Sequence, residues 1–165
     1  LHLSIRRQRQ MCIRDRSLMS PDLPPAEDLV KQHLPQARPE FRMAYIKALL
    51  DVQRTDEATA ELEIIKTRSP GYADAWLIDG ALALQMKQLP LAEQQLQRYL
   101  DLVEGQPLDQ QTPEIRRGRA QALMSMAQIA QLRKQPEKAD AWLQRVDNPD
   151  DLLRAQIRRA SMRRK

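Results

Sequence analysis

The sequence predicts an all-α fold, built of antiparallel helix–turn–helix units stacked one after another. Three observations carry that prediction. The 165-residue chain is 42% hydrophobic but only 4% aromatic, and its many Ala, Leu, Gln and Arg residues favour helix over sheet. Four Gly and eleven Pro punctuate it, as short helices alternating with turns require. Matching residues also recur at a fixed interval: Ala58 to Ala92 is 92 − 58 = 34, and Leu62 to Leu96 and Leu50 to Leu84 repeat that spacing.

The first residues stand apart. Arg6-Arg7-Gln8-Arg9-Gln10-Met11-Cys12-Ile13-Arg14-Asp15-Arg16 resembles the in-frame translation of a transposase adaptor used in sequencing libraries. Residues 1–16 are therefore expected to be an artefactual, disordered leader, the alternative being a natural basic one. They hold five Arg and one Asp, a net +4, so of the overall +5 only 5 − 4 = +1 belongs to residues 17–165. The nucleic-acid reading that a basic chain invites loses its basis with them. The single cysteine, Cys12, goes too, leaving a body that can form neither a disulfide nor a thiolate metal site. No apolar run approaches the roughly 20 residues that span a bilayer, so no membrane span is expected.

Residues 17–38 hold Pro21, Pro24, Pro25 and Pro35 around one helical piece, Ala26–Leu34. Asp22 or Pro24-Pro25 would start it and Pro35 would end it. It reads as the last helix of a preceding, truncated repeat. The unit at 39–72 has Phe41, Tyr45, Ala48, Leu49 and Val52 at helical spacing, giving a first helix over Pro39–Gln53. Thr55-Asp56 is expected to cap a second helix with Ala58, Leu62 and Ile65 on one face, closed by Ser69-Pro70-Gly71.

The unit at 73–104 has a first helix near Ala73–Met86. Pro90, tolerated where its missing N–H would be unpaired anyway, opens the second, which runs to about Val103. A third unit spans 120–151 with Ala139 and Leu143; 139 − 92 = 47 is 34 plus 13 residues inserted. The insertion falls in 105–119, where Gly105, Pro107 and Pro113 mark a loop. Thr112-Pro113-Glu114 is the cap and first turn of a helix extended backwards from Ala120. Gln135-Pro136-Glu137 opens the second helix, Asp147-Asn148-Pro149-Asp150 ends it, and 152–165 begins a further unit.

A 34-residue helix–turn–helix period resembles the tetratricopeptide repeat, over about Pro39–Asp151. The middle unit matches the family pattern at Trp76, Gly80, Ala92 and Leu96, the first at Ala58, Leu62 and Pro70, and the third at Ala127, Ala139 and Leu143. Ile46 stands where a small residue is usual, and Ala83 and Ala130 where an aromatic is usual. The resemblance implies a right-handed solenoid whose first helices line a concave groove. The groove positions would be Met43, Lys47 and Leu50, then Leu77, Ala81 and Leu84, then Met124, Gln128 and Gln131. Adaptable Met and flat apolar residues suit an extended peptide or a partner helix. The same residues at the same spacing also suit inter-repeat core. The basic and Asn residues by which some members clamp a terminal carboxylate are not found at the matching places.

The expected function is a non-catalytic protein-interaction scaffold of bacterial type, binding a protein or peptide partner and needing no cofactor. The alternative is an accessory repeat segment of a larger enzyme or envelope-assembly factor. Little in the chain offers chemistry: no Gly-rich phosphate loop and no Ser/His/Asp set occur in the body. His33 beside Pro35 reads as a solvated histidine. Asp56-Glu57 and Asp150-Asp151 sit at helix starts, where negative charge favours the helix dipole. Arg154, Arg158, Arg159, Arg163, Arg164 and Lys165 read as a solvated face, the alternative being a phosphate- or acidic-lipid-binding stripe; no aromatics interleave with them, which argues against stacking on a single nucleic-acid strand. Self-association through truncated repeat ends is a further expectation, and an exported or envelope location is favoured over a cytoplasmic one.

Overall fold

A computed structural model of the chain describes residues 24–146 and 149–164. The expected leader, Pro21, Asp22, Asp147, Asn148 and Lys165 lie outside the described residues. Among the described residues are eight α-helices and no strand. They fall into two compact units, one ending at Glu63 and the other beginning at Ile64.

In the first unit, α1 (Pro24–His33) opens on a proline, whose fixed φ suits a first helical position. Pro35 breaks it into a 3-10 turn, Leu34–Gln36, closed by the Ala37 N–H donating to the Leu34 carbonyl at 3.1 Å. Helix α2 (Pro39–Asp51) again starts at a proline, after an extended Arg38. It stops two residues before the expected Gln53, because Gln53 turns left-handed. Helix α3 (Thr55–Arg68) carries the chain into the second unit. Thr55 is its first helical residue rather than its cap. The Arg54 carbonyl accepts the Ala58 N–H at 3.1 Å, and Thr55 accepts from the Thr59 hydroxyl at 2.9 Å through its own carbonyl.

The first unit's interior is Leu34, Met43, Ile46, Leu49, Ala58 and Leu62. Ile46 is fully buried where the later units carry Gly80 and Ala127 at the same register. Arg42 is buried as well, with its guanidinium donating to the Glu61 carboxylate and to the Leu34 carbonyl. Both partners are needed, since a buried charge without them is costly.

The second unit holds α4 (Ala73–Gln85), α5 (Leu89–Glu104), α6 (Pro113–Leu132), α7 (Pro136–Gln144) and α8 (Pro149–Arg163). Helix α4 packs most extensively on α5, and α6 on α7; α6 also touches α4 and α5, while α8 rests on α7 and α6. Along α5 the buried residues are Ala92, Gln95, Leu96, Tyr99, Leu100 and Val103, the i, i+3, i+4, i+7 stripe of a helix with one face in the core. Leu123, Ala127, Ala139 and Leu143 join the same cluster from α6 and α7. Helix α6 is 20 residues long because it starts at Pro113; its Thr112 cap accepts the Ile115 N–H at 3.3 Å through the side-chain oxygen.

Candidate interaction surface

The pairs α2/α3, α4/α5 and α6/α7 are each joined by the same turn. Gln53, Lys87 and Lys134 have φ of 62°, 59° and 59°, and they are the only non-glycine residues with positive φ among the described residues. Their spacing is 87 − 53 = 34 and 134 − 87 = 47, the intervals of the alanines. The hydrogen bonds repeat as well. Gln53, Lys87 and Lys134 each donate an N–H to the carbonyl three residues back at 3.0 Å. Arg54, Gln88 and Gln135 each donate to the carbonyl five back at 2.9 Å. This pairing satisfies carbonyls that a helix end otherwise leaves open. Those same three residues then accept the N–H of Ala58, Ala92 and Ala139. A turn that fixes both flanking helices therefore delivers a small residue to the same place in each hairpin.

Glycine and large side chains interlock within and between the hairpins of the second unit. A Cβ built on Gly80 would lie 2.8 Å from Leu96 Cγ, so α4 and α5 approach as closely as a glycine allows. At Gly118 on α6 a Cβ would lie 2.2 Å from the Tyr99 hydroxyl and 3.4 Å from Leu77. Burial, with Asp74 nearby, pushes the Tyr99 phenol up to about 12. Gln95, buried in the α5 stripe, has a carbonyl oxygen with no hydrogen-bond partner among the described residues.

Trp76 sits half-buried against this core. Its indole N–H donates to the Pro70 carbonyl at 2.9 Å. Lys66 Nζ lies 5.3 Å from the ring centroid and the Arg98 guanidinium 5.8 Å, both within cation–π range. Lys66 also donates to Asp79 at 2.5 Å, with side-chain exposures of 7% and 8%. Sequence reading missed this buried pair, because neither charge recurs at the repeat interval: Tyr45 and Met126 stand at the register of Asp79, and Leu100 at that of Lys66.

The expected groove residues divide by burial. Met43 (3% exposed) and Leu84 (8%) are interior, so neither presents its side chain to solvent. Lys47 is exposed and Leu50 half-buried, both on α2 in the first unit. Leu77 and Ala81 on α4, and Met124, Gln128 and Gln131 on α6, are half-buried. Leu77 and Met124 also pack against the core cluster.

The charged groups mostly tie helices together. Glu104 on α5 pairs with Arg119 on α6 and with Arg145 after α7. Glu93 pairs with Arg133 beyond the end of α6. Asp140 on α7 accepts from Arg159 on α8 at 2.5 Å, and that bond, with Gln144 adding to it, holds the Asp140 carboxyl below its usual range. In the first unit Glu27 accepts from Arg54 at 2.6 and 3.0 Å and from Tyr45 at 3.2 Å. Arg54 foremost, with Lys31 and Tyr45, brings the Glu27 carboxyl down to about 2.

His33 is exposed at the end of α1. Among the described residues no group of three or more His, Cys, Asp or Glu is placed to hold a metal. No helix there is long and apolar enough to cross a membrane. Comparison of the chain with protein-family models, with curated proteins and with solved structures finds no match.

Proposed function

We propose that the chain is a non-catalytic interaction scaffold of tetratricopeptide-like hairpins. The observation that carries this reading is the left-handed turn recurring at Gln53, Lys87 and Lys134 on the intervals that separate Ala58, Ala92 and Ala139. A hairpin of that kind covers only part of its apolar surface, so it is made to stack, and stacked hairpins offer a continuous face for a partner. In the second unit that face is made of first-helix residues: Leu77 and Ala81 on α4, Met124, Gln128 and Gln131 on α6. Its mix of adaptable apolar side chains and amides suits an extended peptide or an amphipathic helix.

The test is selection of peptides from a displayed library on the folded chain, repeated with Ala81→Arg and Gln128→Arg. Both positions are half-buried, so circular dichroism and a melting curve of each variant check that the fold is kept. Loss of the selected peptides in the variants is expected. Equal retention by the variants and the parent would contradict the groove.

A further inference from the structure

The hairpins α4/α5 and α6/α7 turn at one and the same end of the second unit. Glu93, near the start of α5, pairs with Arg133 just beyond α6, so the two turns lie side by side. Three large apolar side chains stand exposed there: Met86 at 58%, Leu91 at 39% and Leu132 at 45%. Lys87, Lys134 and Lys138 are exposed beside them. Among the described residues none of these three ammonium groups has an ion-pair partner.

The repeat itself brings these residues together. Left-handed Lys87 and Lys134 form the tips of the turns, with Met86 directly before the first and Leu132 two residues before the second. Leu91 and Lys138 share one register, 138 − 91 = 47, in the first turns of α5 and α7. Stacking does not cover this end. Met86 and Leu91 belong to the hairpin on which α6 packs, and they remain exposed. Gln85 holds the register of Leu132, 132 − 85 = 47, and is exposed too, although α6 packs on its helix. The contact between the hairpins runs through other side chains, such as Tyr99 against Gly118.

We propose that this end of the second unit attaches to an anionic membrane surface. Met86, Leu91 and Leu132 enter the headgroup layer, while Lys87, Lys134 and Lys138 meet the lipid phosphates and carboxylates. Charge is the first reason. Residues 85–93 and 131–138 together hold four basic groups against two acidic, 4 − 2 = +2, and Glu93 is already taken by Arg133. Lysines at such a place are drawn to the negative potential of anionic lipid. Shape is the second. The apolar residues come from two turns and a first helical turn, so they form neither a helical stripe nor a groove for a peptide. A planar surface can touch all of them at once. A second copy of the same end would set like charges against each other. None of the groove residues of α4 and α6 takes part, so this proposal and the peptide groove can fail separately.

The full chain is sedimented with phosphatidylcholine vesicles, with and without phosphatidylserine. Binding is expected only where phosphatidylserine is present, and it should weaken as salt rises. Lys87→Glu combined with Lys134→Glu should reduce the affinity about tenfold or more. Met86→Ser combined with Leu132→Ser should lower it by about the same factor, through loss of the inserted side chains. All four positions are exposed, and melting curves of both double variants check that the fold is kept. Absence of phosphatidylserine-dependent binding would overturn the proposal. So would binding indifferent to both double variants, which would place it on the arginines of residues 1–16 or of α8. Loss in only one of the two variants would overturn it as well, since lysines and apolar side chains act together here. A protein-binding edge would show itself otherwise: as a concentration-dependent dimer that Met86→Ser with Leu132→Ser dissolves, or as saturable capture of polyglutamate by a chain that ignores vesicles. Either result would replace the membrane with a protein.

Discussion

Gly80 and Leu96 meet so closely that the leucine occupies the space a β-carbon would need: a Cβ on Gly80 would sit 2.8 Å from Leu96 Cγ and 2.9 Å from Cδ2. Both residues are buried, Leu96 fully. Removing the leucine leaves a cavity, so Leu96→Ala should cost about 2–5 kcal/mol. Gly80→Ala gains about 1 kcal/mol of helix propensity yet overpacks the contact, for a net loss of about 1–2 kcal/mol. The double variant should cost clearly less than the two single losses together, because the new methyl enters the space that the leucine vacates. Urea unfolding of the three variants measures this coupling, and strict additivity would mean that the two residues do not touch.

The hairpin turns should respond to glycine. Lys87 and Lys134 hold a left-handed conformation that costs an L-residue about 1–2 kcal/mol. Lys87→Gly and Lys134→Gly should therefore each raise stability, by about 0.5–1 kcal/mol once the greater freedom of glycine in the unfolded chain is deducted. Lys87→Ala keeps the β-carbon and should gain nothing. Thermal unfolding of the four proteins settles the comparison.

Much of this architecture was legible before the structure. The interval linking Ala58, Ala92 and Ala139 follows from side-chain size, which the sequence states directly. The turns were hidden, because no glycine or asparagine marks them; applying the same interval to Gln53, Lys87 and Lys134 would have found them. Thr55 was read as a cap from its side chain, whereas the backbone carbonyl of Arg54 takes the place before the helix. Arg42 stands at the register of Trp76 and Leu123, yet it is buried. Its compensation by Glu61 and the Leu34 carbonyl is non-local, and no pattern of spacing reports it. Met43 and Leu84 illustrate the same limit, since groove and core positions share one helical period.

The buried pair of Lys66 and Asp79 should be fragile when broken on one side. Lys66→Met leaves an unpaired carboxylate in the interior and should cost about 3–5 kcal/mol. Lys66→Met combined with Asp79→Leu should recover most of that loss. A double-mutant cycle in urea reads the difference directly.

Acid should loosen the first unit at Glu27. Its carboxyl is lowered from the ordinary 4.5 to about 2 by Arg54, Lys31 and Tyr45. A group whose folded value lies below its unfolded value contributes fully above the unfolded one. Protection of α1 amides against hydrogen exchange should therefore hold above about pH 4.5 and fall as the pH drops towards 2. Glu27→Gln should lower protection at neutral pH and flatten its acid dependence. A parent protein whose α1 protection is flat across that range would count against the cluster.

One hairpin geometry used three times underlies the whole account, and the backbone at Gln53, Lys87 and Lys134 tests it most directly. Solution NMR of the chain should give the strong intraresidue HN–Hα contacts of a left-handed residue at all three, with φ near the 62°, 59° and 59° observed here. Negative φ at any one of them would break the common register and contradict the account.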